Sequence, residues 1–197
     1  MNITSIKTES FNALLSKIYP IKNLLIFIVS LFGTHFLWKL IVEGNHQGHE
    51  IYILGMDFTS FFHHISLFTA KAAYHIMHLI GMTNTQIHDT YLFYQTPNGG
   101  FVNVVWGCTG IKQFLMFIAI MLIAPGHSKK KVWYLPFSLF ILWIYNIIRI
   151  IVITYNTGLE PSSFDYWHSF FNNPFYVLMF ILWLIWEEII NKKKNTV

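Results

Sequence analysis

The chain has 197 residues, of which 54% are apolar, 18% aromatic and only 11% charged, where a soluble domain carries roughly 25% charged residues. The length suits a single domain, 1–197, and the composition excludes an ordinary water-soluble globule. The net charge of +4 gathers at the ends of apolar runs, which suits a membrane surface and not nucleic acid, and the single cysteine excludes an intrachain disulfide.

The first apolar run, 21–42, has the roughly 20 residues that a bilayer-crossing helix needs. "EGNHQGHE" follows it with no small-residue cleavage site, so the run is expected to be a retained anchor rather than a signal peptide. Residues 58–81 predict a different helix. Ser60, His64, Lys71, His75 and His78 recur at helical spacing and share one face, which predicts an amphipathic helix at the interface or lining a cavity. "TYLFYQTPNGGFVNVVW", 90–106, predicts two short strands around a Pro97–Asn98–Gly99–Gly100 turn. Three further spans follow: a short one at 110–124, with Thr109 as its expected N-cap, then 132–154 and about 174–190. Pro174 in "NNP" marks the last helix start, and Glu187 and Glu188 read as its solvated end.

Basic clusters set the orientation. Lys7, Lys17 and Lys22 precede the first span, Lys129, Lys130 and Lys131 separate the second and third, and Lys192, Lys193 and Lys194 follow the fourth. Positive residues favour the cytoplasmic side, and four spans with both termini inside satisfy all three clusters. Residues 43–109 and 155–173 then face outward. The expected fold class is an all-α polytopic membrane protein: about four transmembrane helices, one amphipathic helix and a short extracytoplasmic β-hairpin.

This topology brings three reactive side chains to one level. Cys108 in "GCTGIKQFLMF" stands at a helix N-terminus, whose positive dipole end favours thiolate. A buried, inert cysteine is the plainer alternative. Arg149 interrupts "LWIYNIIRIIVITY", where a charge costs at least about 2.5 kcal/mol near the bilayer centre. It lies 18 positions after Lys131, roughly 27 Å along a helix, so it reaches the level of Cys108, with Asn146 on the same face. Snorkelling to headgroups is its alternative role. His168 in "FDYWHSFFNNPF" lies in the outer loop, three residues after Asp165. A thiol, a guanidinium and an imidazole converging from three elements fit covalent catalysis. Lys112 and Gln113, one turn beyond Cys108, either line such a site or snorkel, and snorkelling is the simpler expectation.

"PNGGFVNVVWGCTG", "NIIR" and "WH", in that order and topology, resemble the exosortase/archaeosortase family of membrane-embedded cysteine transpeptidases over about 85–190. The resemblance implies Cys108 as nucleophile, Arg149 as charge-stabilising residue and His168 as proton shuttle, the histidine in third place being the exosortase pattern. It implies secreted protein substrates with a C-terminal sorting tail: a recognition motif, one transmembrane helix and a basic cluster. It further implies cleavage at the outer face of the cytoplasmic (inner) membrane and transfer to an acceptor. No cofactor, metal or nucleic acid is expected.

Two rival functions are a metal or haem protein using His63, His64, His75 and His78, and a non-enzymatic membrane subunit. His75 and His78 have a metal-ligand spacing. However, all four histidines sit on one helix, and no cysteine or nearby carboxylate completes a set.

Overall fold

The structure, a computed structural model, describes residues 3–44, 50–97, 99–126 and 128–191, with side chains described from Lys22 to Glu188 apart from Ser128. The Lys192–194 cluster and Asn98 of the expected turn lie outside the described residues. The fold is mostly helical, 72%, with two small antiparallel sheets.

Helix α1, Ile3–Ile41, contains the first apolar run and passes directly into strand β1, Val42–Gly44. Strands β2, Ile51–Ile53, and β3, Met56–Asp57, complete a sheet in the order β1-β2-β3 that the sequence reading did not foresee. Leu54 and Gly55, at φ +51° and +77°, make the tight turn between β2 and β3. Helix α2, Thr59–Leu79, starts where the Thr59 amide donates to Asp57 Oδ1 at 2.8 Å. Its two faces match the expected amphipathic pattern. Phe62, Ser66, Thr69, Ala70, Ala73 and Met77 are buried, while Ser60, His64, Lys71 and His75 are exposed. Its histidines have local partners: His63 faces Asp89 at 3.3 Å, His64 bonds the Ser60 carbonyl at 2.6 Å, and His78 the Thr85 carbonyl at 3.1 Å.

The expected hairpin is a three-stranded sheet, β4 Thr85–His88, β5 Tyr91–Tyr94 and β6 Phe101–Asn103. Asp89, at φ +54°, allows the two-residue turn that adds β4. The sheet then closes onto the end of helix α4, Ser128–Leu159. Thr96 Oγ1 donates to the Gly158 carbonyl, and Gly100 meets the backbone at Thr157 so closely that a Cβ would collide with its carbonyl.

After a 3-10 turn at Trp106–Cys108 comes α3, Ile111–Ile123. It begins one residue later than expected. Gly110 is the N-cap at φ +78°, and Thr109 closes the 3-10 turn, with Oγ1 donating to the Trp106 carbonyl at 2.7 Å. Only a residue tolerant of the left-handed region redirects the chain this sharply. Lys131, one turn into α4, bonds the Leu122 and Ala124 carbonyls and so caps α3. The chain returns through a 3-10 turn, Pro161–Ser163, helix α5, Phe164–Phe170, and helix α6, Asn172–Ile185, which runs on as a π-helix over Trp186–Asn191.

Among the described residues, three stretches are long and apolar enough to cross a membrane: Lys22–Ile41, Lys129–Leu159 and Pro161–Glu188. The second expected span, α3, is apolar but only 13 residues long, because Pro125 follows it at once. Leu40, Val132 and Val29 are among the apolar side chains left exposed on the long helices, as lipid-facing positions should be. Between the helices, Phe27, Phe117, Tyr134, Phe175, Met179 and Trp186 make the main core. Ala70 and Ala73 let α2 lie close on α4 over Ile147 and Ile150. Glu187 corrects the expectation of a solvated end. It is 6% exposed and accepts a hydrogen bond from the equally buried Asn23 at 3.0 Å, tying the last helix to α1. Glu188 is exposed.

Candidate active site

Cys108 ends the 3-10 turn, where its amide donates to the Val105 carbonyl at 2.8 Å. Its own carbonyl accepts from Asn146 Nδ2 of α4 at 3.0 Å, and Asn146 is fully buried. The reversal at Gly110 brings that bond about, since Asn146 packs against the glycine where a Cβ would sit. Cys108 is partly exposed, yet enough protein surrounds it that burial pushes its thiol up. The Arg149 charge and a backbone hydrogen bond at Val105 act in the opposite direction. The expected dipole effect therefore does not dominate in the resting state.

Arg149 is 3% exposed. Its Nη2 donates to Asn172 Oδ1 at 3.1 Å, while Nε has no hydrogen-bond partner and no carboxylate pairs with it among the described residues. A buried guanidinium with a neutral partner leaves its charge uncompensated. This geometry excludes snorkelling, which would place the head in water. One turn earlier on α4, Tyr145 donates to the Phe171 carbonyl at 3.1 Å. Tyr145 and Arg149 together pin the corner between α5 and α6.

His168 lies on α5 in the turn before that corner, partly buried, its ring stacked on Phe164 at 5.4 Å and 19°. Asp165 is exposed. The structure thus joins Cys108 to α4 through Asn146, sets it within the field of Arg149, and, through Arg149 and Tyr145, fixes the corner that follows the helix carrying His168.

A cleft of about 560 Å3 opens beside these groups, lined among others by Trp38, Lys39, Trp106, Gly107, Lys112 and Asn172. Lys112 and Gln113 line this cleft, the role that stood beside snorkelling as an expectation for them. Asn172, the first residue of "NNP", carries no sequence signal beyond that helix start. Lys39 gave no signal, because a lysine near the end of an apolar run looks like any interfacial lysine.

The family model described as transmembrane exosortase matches residues 13–186. The chain belongs to the transmembrane exosortase family. No curated protein and no solved structure matches it. Exosortase membership brings a membrane transpeptidase-type role in general, within a family of cysteine transpeptidases. It also agrees with the three long apolar helices in making this a membrane protein.

Proposed function

We propose that this exosortase removes C-terminal sorting tails from secreted proteins at the outer face of the cytoplasmic membrane and passes the new C-terminus to an acceptor. Cys108 is the nucleophile, His168 the proton shuttle and Arg149 the fixed positive charge. The observation that carries this reading is the buried Arg149, held by a neutral amide, with its charge acting on the Cys108 thiol.

A thiol held protonated needs a base as substrate binds. His168 takes the Sγ proton, the thiolate adds to the scissile carbonyl, and the oxyanion forms in the field of Arg149. Collapse breaks the C–N bond, and His168 returns the proton to the departing amine of the tail. The acceptor's nucleophile then attacks the thioester and gives its proton to His168; the C–S bond breaks, and His168 returns the proton to the departing Cys108 thiolate.

The positive-inside rule supports the orientation. Lys22 begins the apolar span of α1 and Lys129–131 lie in the first turn of α4, so α3 has to traverse for both clusters to face the cytoplasm. Mass spectrometry of the mature C-terminus of a co-expressed tailed protein tests the reaction. An adduct supports transfer, a free carboxylate restricts the activity to hydrolysis, and an intact tail in the presence of correctly inserted enzyme defeats the proposal.

A further inference from the structure

Among the described residues, the cleft beside Cys108 is lined by two positive side chains and no negative one. Lys39 reaches it from the last turn of α1 and Lys112 from the first turn of α3. Each ammonium lies within electrostatic reach of the other, and neither has a hydrogen-bond or ion-pair partner among the described residues. Two like charges facing one cleft repel each other, and an anion between them reverses the sign of that interaction. Gln113 adds a buried Oε1 without a hydrogen-bond partner among the described residues, an acceptor for a ligand hydroxyl.

The position of the cleft identifies the anion. Lys39 lies two residues before the end of the apolar span Lys22–Ile41, where the helix leaves the hydrocarbon. Trp38 and Trp106 stand in the same wall with ring centroids 6.3 Å apart, and tryptophan concentrates at headgroup level. The abundant anion at that level is lipid phosphate. We propose that the cleft binds the headgroup of one anionic phospholipid, with its phosphate between Lys39 and Lys112 and a headgroup hydroxyl on Gln113. A bound headgroup would form part of the wall beside Cys108, so occupancy would bear on access to the thiol. The site stands whether or not Cys108 is a nucleophile.

The test is a binding measurement that needs no catalysis. Native mass spectrometry of the full chain in detergent, titrated with phosphatidylglycerol or with phosphatidylcholine, should show one phosphatidylglycerol retained in preference to phosphatidylcholine. K39Q/K112Q should lose about 30-fold in affinity, at about 1 kcal/mol per lysine, whereas K39R/K112R should retain most of it. If the double glutamine variant does not insert, K112Q alone should lose about fivefold on the same scale. Equal retention of the two lipids, or unchanged phosphatidylglycerol binding by the glutamine variants, overturns the assignment. A glutamate-containing peptide held through these lysines, with no lipid preference, gives the cleft to a polypeptide carboxylate and overturns it as well.

Discussion

The only cysteine of the chain lies where two influences oppose each other. Burial holds the proton on Cys108 and the Arg149 charge favours losing it, with burial the larger. Alkylation of Cys108 by a small reagent should therefore keep accelerating above about pH 8.5, where a free thiol is half ionised. Arg149→Gln should push that profile further up, and an unchanged profile would show that the guanidinium does not act on the sulfur. The folded state keeps this proton where the unfolded chain has lost it, so stability falls as pH rises through that range. Cys108→Ala should insert at normal levels, since a partly exposed turn loses little packing, and tailed precursor should accumulate. Tail removal at the wild-type rate in that variant would reduce the thiol to a filler. Arg149→Lys keeps the charge but not the fork that reaches Asn172, and should lose at least about 90% of activity. Asn172→Asp is a subtler change. It keeps the shape but pairs the guanidinium, so Cys108 should alkylate more slowly at a fixed pH, the same direction as expected for Arg149→Gln.

Two glycines govern how the second sheet meets the end of α4. A Cβ on Gly100 would fall on the Thr157 carbonyl, and one on Gly158 would lie 2.6 Å from Tyr94 Cβ. Gly100→Ala and Gly158→Ala should each cost about 1–3 kcal/mol. Thermal unfolding in detergent would measure this, and unchanged melting would mean the sheet is free to shift. The elements differ in how openly the sequence declared them. The buried and exposed faces of α2 were legible because its polar residues recur at helical spacing. The long helices were legible because apolar runs of that length have few other uses. Strand β4 was missed because "TQIH" carries one apolar residue, and its pairing depends on the turn geometry of Asp89. Sheet β1-β2-β3 was missed because its strands have two or three residues and depend on contacts distant in sequence. At the site, Cys108 and Arg149 were legible as chemistry out of place. The roles of Asn172, Asn146 and Lys39 depend on which residues meet across helices, and spacing along one helix does not encode that.

For the molecule as a whole, the lysine clusters predict that α3 crosses, together with α1, α4 and the α5–α6 unit. In a Cys108→Ala background, cysteines introduced at Asn98 and Asn173 should react with an impermeant reagent from outside, and one at Ser128 should not. Labelling at Ser128 from outside would invert the arrangement and separate the proposed site from its substrate. A crossing α3 has a mechanical consequence. Thirteen residues rise about 20 Å, whereas the hydrocarbon layer is about 30 Å thick. Thinning of the surrounding leaflet would match this length, and thinning at the start of α3 would draw headgroups and water toward Cys108. The dent would solve a problem of access, since the polar chain ahead of a membrane-anchored tail could meet the sulfur without being pulled into oil. Deepening the dent costs more in a thicker bilayer. Tail removal in reconstituted vesicles should thus slow as acyl chains lengthen, and a rate indifferent to chain length would mean that the surrounding lipid does not bend.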